Sequence, residues 1–334
     1  MKINYLFLLI LPLFVFFSSC NTDEDEDETL GNWSSLSDFD GLPRSEAVGF
    51  VINGKAYFGT GYDGESRLKD FWEYNPEQNY WTQKADLPGD ARASAVGFSI
   101  DNKGYIGTGY NGENKLNDFW EYDPAINQWT QKADFIGSAR YGAVCFSVDG
   151  KGYVGSGYDG SSLKDFYAYS PSDNSWEKII SIGGSKRRDA SAFVIDGKAY
   201  VISGTDNGVY LSDIWEFNPV TGNWTEKSKL SNYTDDTFDD EYSTIVRING
   251  SAFSINGKGY LTCGSTGSLL NNVWEYDPVT DLWIEKTPFE GSVRTEAVGF
   301  AIGSKGYVVA GRSSSYYFDD IWNFDPTAEY DELY

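Results

Sequence analysis

The eleven tryptophans of this 334-residue chain occupy only two slots of one repeated unit. Trp72, Trp120, Trp215, Trp274 and Trp322 fill the first slot, where Tyr167 takes the place of a sixth. Trp81, Trp129, Trp176, Trp224 and Trp283 follow nine residues behind. Trp33 stands alone, 48 residues before Trp81. Tyr57, Tyr105, Tyr153, Tyr200, Tyr260 and Tyr307 mark the same register, at spacings of 48, 48, 47, 60 and 47 residues. Six units thus follow one another, with one insertion between Trp224 and Tyr260. A unit of this size cannot bury its apolar face alone, so neighbours must stack.

Within a unit the pattern is that of short strands. Residues 47–52 form an apolar run that ends in Asn53-Gly54; Asp149-Gly150, Asp196-Gly197 and Asn256-Gly257 end its counterparts. Such pairs accept the positive φ of a type I′ hairpin turn. Residues 55–59, 70–74 and 80–84 read as three further strands, with Asn75-Pro76 turning the third into the fourth. No segment has a helical period. A period near 50 built from strands predicts an all-β fold, a six-bladed β-propeller with four antiparallel strands per blade. The sixth unit ends without a fourth strand, whereas Asn32-Trp33-Ser34 is a fourth strand without the other three. The N-terminal strand is therefore expected to complete the last blade and remove its open edge.

The glycine closing each second strand (Gly61, Gly109, Gly157, Gly204, Gly264, Gly311), with the Tyr and Trp at fixed spacing behind it, resembles the kelch motif over residues 31–334. The usual Gly-Gly pair is Gly59-Thr60-Gly61 or Ser203-Gly204 here. The resemblance implies a kelch-repeat propeller. Kelch relatives include galactose oxidase and other copper radical enzymes, which hold copper partly through histidine. This chain has no histidine, which excludes that chemistry along with His-based triads. The N-acetylneuraminate epimerase of sialic-acid catabolism is a second kelch enzyme, exported and six-bladed. It implies an acid/base pair, for which Arg188 with Glu296 or Glu46 are the candidates.

The two ends of the chain suggest export. Lys2 precedes an apolar run over residues 5–17, too short to span a bilayer comfortably. Phe17-Ser18-Ser19-Cys20 resembles the lipobox of bacterial lipoproteins, which implies a signal peptide over residues 1–19 and lipidation of Cys20; a plain secretory signal is the alternative. Residues 20–30 read as an acidic tether, with six acidic residues at 23–28. That block resembles the surface-export signal of Bacteroidetes lipoproteins, or is a plain spacer. An outer-membrane lipoprotein is expected, exposed at the surface or facing the periplasm. The balance of 26 basic against 50 acidic residues, a net charge of −24, opposes nucleic-acid binding. Cys145 and Cys263 lie in non-adjacent units and are expected to remain unpaired.

Function on a repeat scaffold is expected where the repeats differ and the loops are long. In a four-stranded meander this is the end that carries the second-to-third loops and the links between blades. Its ligand-binding candidates are Tyr62, Arg67, Tyr110, Tyr158, Arg188, Tyr210, Arg312, Tyr316 and Tyr317. Aromatic rings beside Arg, Asp and Asn suit a glycan or a peptide. By contrast, an arginine stands thirteen residues before every register tyrosine (Arg44, Arg92, Arg140, Arg187, Arg247, Arg294), and its presence in all six units argues for a structural task. Asp235, Asp236, Asp239 and Asp240 in the insertion are weak calcium candidates. No cofactor is expected. The leading expectation is a lipid-anchored binding module for a glycan or protein partner; the alternative is a sugar epimerase or mutarotase.

Overall fold

The computed structural model describes residues 30–230, 242 and 244–331. Six four-stranded antiparallel sheets form a closed ring, a six-bladed β-propeller. Blade one is typical: Val48–Ile52, Lys55–Gly59, Phe71–Asn75 and Tyr80–Lys84 pair in chain order. Asn53 and Gly54 turn the first hairpin at φ of 50° and 74°, as the type I′ turn requires. The first strand starts one residue later than its apolar run. The third starts at Phe71 because the Asp70 carbonyl accepts from Thr60 N (3.2 Å) and its carboxylate binds Arg44.

Blade six is completed by the N-terminal strand Asn32–Ser35, which pairs antiparallel with Ile321–Asp325. Trp33 is fully buried at this seam. Its ring lies 4.9 Å from Phe289 and 5.0 Å from Phe324, and Nε1 donates to the Thr287 carbonyl of blade five (3.2 Å). The other tryptophans pack likewise between blades; Trp129 and Trp176 each donate to a carbonyl of the preceding blade. A first-strand phenylalanine reaches into the next blade: a Cβ on Gly104 would lie 2.2 Å from the Phe50 ring. Mutual burial of aromatic faces holds neighbouring sheets together.

All six repeated arginines are buried. Arg44 donates to both Asp70 carboxylate oxygens (2.6 and 2.7 Å), to the Thr60 carbonyl (3.0 Å) and to the Leu42 carbonyl (2.9 Å). Trp72 Nε1 donates to the same carboxylate (2.8 Å). Asp118, Asp165, Asp213 and Asp320 repeat this clamp on Arg92, Arg140, Arg187 and Arg294. Blade five departs, with Asn272 where the others have aspartate. Arg247 there donates to the Cys263 carbonyl (2.7 Å), and Trp274 donates to Thr244 Oγ1 (3.0 Å) at the end of the insertion. Buried without a carboxylate, the Arg247 guanidinium is pushed down to about 10.

Candidate functional site

Small residues line the axis. Gly49, Gly97, Cys145, Ala192, Ala252 and Gly299 face a central channel of about 240 Å3. Both free thiols fill space, Cys263 fully buried and Cys145 donating to the Gly97 carbonyl (3.3 Å).

At the end bearing the second-to-third loops, a ring of six residues narrows the channel: Glu46, Ser94, Gly142, Asp189, Asn249 and Glu296. Each stands one per blade in the left-handed region, at φ between 50 and 60°. Each N–H donates to the carbonyl of its counterpart in the preceding blade. The circle runs Ser94 to Glu46 (3.0 Å), Gly142 to Ser94 (3.1 Å), Asp189 to Gly142 (2.9 Å), Asn249 to Asp189 (2.9 Å), Glu296 to Asn249 (3.3 Å) and Glu46 to Glu296 (3.1 Å). The backbone is thus six-fold, while the side chains are not. Gly142 leaves room for its neighbour: a Cβ there would lie 2.3 Å from Asp189 Oδ1.

Above the ring each sheet continues through isolated bridges that form a collar. Ser45, Ala93, Tyr141, Arg188, Ile248 and Thr295 pair with Tyr62, Tyr110, Tyr158, Thr205, Ser265 and Arg312. An arc of tilted and edge-on tyrosine rings and guanidinium groups follows half of this collar. Tyr317 lies 6.0 Å from Tyr62, and Arg67 sits over Tyr62 (4.5 Å) and Tyr110 (5.4 Å). Tyr110 lies 5.7 Å from Tyr141, which lies 5.5 Å from Tyr158, and Arg188 covers Tyr158 (5.1 Å). A recess of about 250 Å3 opens between ring and arc, lined by Glu46, Arg67, Ser94, Tyr110, Tyr141, Arg188, Asp189, Asn249 and Glu296.

Carboxylates in this recess are paired with arginine in two blades and not in the third. In blade six, Arg312 holds Glu296 through two bonds (2.6 and 2.9 Å). In blade four, Arg188 meets Asp189 at 3.5 Å. In blade one, Glu46 instead accepts from Ser94 Oγ (2.5 Å). Burial, opposed by Arg188 and reinforced by repulsion from Glu46 and Glu296, pushes the Asp189 carboxyl up to about 6. Burial and the negative charge of Glu296 also raise Glu46. The Asp189 carboxyl is thereby able to hold or release a proton near neutral pH.

Of the candidates read from sequence, Glu46, Glu296, Arg67, Tyr110 and Arg188 meet in the recess, and Tyr62, Tyr158, Arg312 and Tyr317 brace its wall. The tyrosines also secure their own loops: Tyr62 and Tyr110 donate to the Gly64 and Gly112 carbonyls (2.6 and 2.7 Å). Glu296 is bound to Arg312, and the carboxylate beside Arg188 is Asp189. Tyr210 pairs with Thr205 in a hairpin of blade four and does not line the recess. Tyr316 is exposed, its ring 5.4 Å from Phe318. Cys20, Asp235, Asp236, Asp239 and Asp240 lie outside the described residues; among the described residues no group of three or more metal-ligating side chains occurs. Ser94, Gly142, Asp189, Asn249 and Tyr141 were not expected. The first four share a signal, a position two places behind the repeated arginine and one before a small residue in every unit, whereas Tyr141 stands one place behind Arg140.

Fold and site together define a six-bladed β-propeller with an asymmetric recess on its axis. The Kelch motif matches residues 43–88 and 186–231, which span blades one and four. The solved structure of YjhT is similar with a TM-score of 0.70, covering 86% of this chain and 96% of that one at 17% identity. At that identity the likeness is one of fold. No curated protein matches the chain.

Proposed function

We propose that the protein is a binding module that takes a small polar ligand, such as the end of a glycan, into the axial recess, while Cys20 anchors it by lipid to the outer membrane. One observation carries this reading. Six-fold repetition governs the buried arginines and the ring backbone, yet the side chains facing the recess differ from blade to blade. Unlike residues converging on one concavity are what recognition of an asymmetric molecule needs. Tyrosine faces offer a flat apolar surface, and the arginines and carboxylates offer hydrogen bonds at its edge. A glycan array and an envelope pull-down, run with wild type and with Glu46→Ala/Asp189→Ala, test it. Ligand retained by wild type and lost by the variant is the expected result. Retention by both, or by neither, sinks it.

A second reading rests on Asp189. A carboxyl pushed up to about 6 beside an arginine, with Glu46 also raised, is suited to proton transfer on a sugar. This is the epimerase or mutarotase alternative, with Asp189 and Glu46 as acid/base groups and Arg188 as the electrostatic partner. Anomer or epimer exchange followed by NMR would be abolished by Asp189→Asn. Candidate sugars that show no exchange with wild type leave binding as the function.

A further inference from the structure

The three blades that bring a carboxylate to the ring each bring one arginine to the collar, and the three arginines are not equally satisfied. Arg312 is tied bidentately to Glu296, and Arg188 has Asp189 at 3.5 Å. The Arg67 guanidinium makes no hydrogen bond or ion pair among the described residues, and its Nε is buried with no acceptor, although Glu46 feels its charge from a distance. Its guanidinium is faced by Tyr62 and Tyr110, at 4.5 and 5.4 Å from the ring centroids. Rings at those faces hold the plane in place and leave its donor edges for a guest. Arg67 lines the recess.

The fold does not require an arginine at this place. In the other five blades the bridge partner at the equivalent position is Lys115, Ser162, Tyr210, Leu269 or Tyr317, and the chain path is built regardless. A pre-oriented guanidinium that lacks an acceptor and that the scaffold does not need has the properties of a ligand contact. On the proposed reading of the recess as a binding site, we propose that Arg67 binds an anionic group and that the ligand is a hydroxylated carboxylic acid of sugar size. The rest of the lining selects the class. Glu46, Asp189 and Glu296 repel a polyanion such as a phosphate ester, but accept hydrogen bonds from the hydroxyls of a molecule whose single carboxylate reaches Arg67. Asn249 and Ser94 add neutral polar groups on the same ring. A recess of about 250 Å3 has room for one such small molecule.

The test compares hexuronates with their neutral parents. Binding of glucuronate and galacturonate, against glucose and galactose, is measured by calorimetry on the full chain, on Arg67→Gln and on Arg67→Lys. A charge-assisted bidentate contact makes a roughly 10- to 100-fold difference in affinity. Wild type should prefer the acid by that factor, and the preference should weaken as salt rises. Arg67→Gln should lose the preference while keeping its affinity for the neutral sugar and its melting temperature. Arg67→Lys should keep part of it, as a point charge without the fork. If wild type binds neutral sugars as tightly as acids, or Arg67→Gln keeps the preference, the carboxylate inference falls and the recess reading survives. Binding of neither class overturns both.

Discussion

Arg44 and Arg67 belong to the same blade and have opposite fates. Arg44 lies fully buried and donates four bonds in a clamp that recurs in five of the six blades, blade five keeping the arginine with carbonyl partners alone. Arg67 occurs once, stacks between two tyrosines and leaves Nε without an acceptor. The difference separates two ways of placing charge in a repeat protein. A charge repeated six times and held by a carboxylate or a backbone carbonyl in every blade fixes geometry. A single charge left short of partners is available to something else. The same contrast divides the axial ring, whose backbone is identical in all blades and whose side chains are unlike.

Mutations can break this contrast, and the clamp should give the largest effect. Arg92→Ala strands the Asp118 carboxylate and should destabilise the ring by about 3–5 kcal/mol. Denaturant unfolding would show it, and a loss under 1 kcal/mol would mean that the clamp is ornamental. Trp33→Ala opens a cavity at the seam and should cost a similar or slightly smaller amount, about 3 kcal/mol. An unchanged melting temperature would remove Trp33 from the closure.

The ring should respond in the opposite direction. The Asp189 carboxyl titrates at about 6 in the fold against 3.8 for a free aspartate. The folded state therefore binds the proton more tightly, and stability declines as pH rises from about 4 to 6. Asp189→Asn should raise stability by about 1–2 kcal/mol at pH 7, offset in part by the lost Arg188 contact, with the gain vanishing below pH 4. A variant less stable than wild type at pH 7 would show that the Arg188 pair outweighs burial. Smallest of all, Arg67→Gln should change stability by less than about 0.5 kcal/mol, which thermal unfolding would check. A larger loss would place Arg67 with the structural arginines.

Much of the architecture was legible in the sequence because it is repeated. The Lys55–Gly59 and Tyr80–Lys84 strands match the bounds read from alternation and turn residues, and Trp33 announced the closing strand by standing one period before Trp81. The six arginines could be set aside as structural on recurrence alone. Recurrence is also why the recess was only partly visible. Ser94, Gly142, Asp189 and Asn249 share a position but no chemistry, so no recurring residue type marks them. They meet because six backbone hydrogen bonds close a circle around the axis, which only three-dimensional closure reveals. Arg67 could be singled out as unrepeated, but its two tyrosine faces come from different blades. Blade five hides a further substitution, since Thr244 takes up the Trp274 bond that aspartate accepts elsewhere.

The seam has a mechanical consequence. The strand that shuts the ring is also the strand through which the N-terminus leaves it. Leu30 accepts from Thr287 N (3.1 Å) in blade five, while Asn32–Ser35 pairs within blade six. A pull through the N-terminus is therefore shared by two blades before it reaches Trp33. If that shared grip fails, the N-terminal strand comes away and the ring opens in the same event.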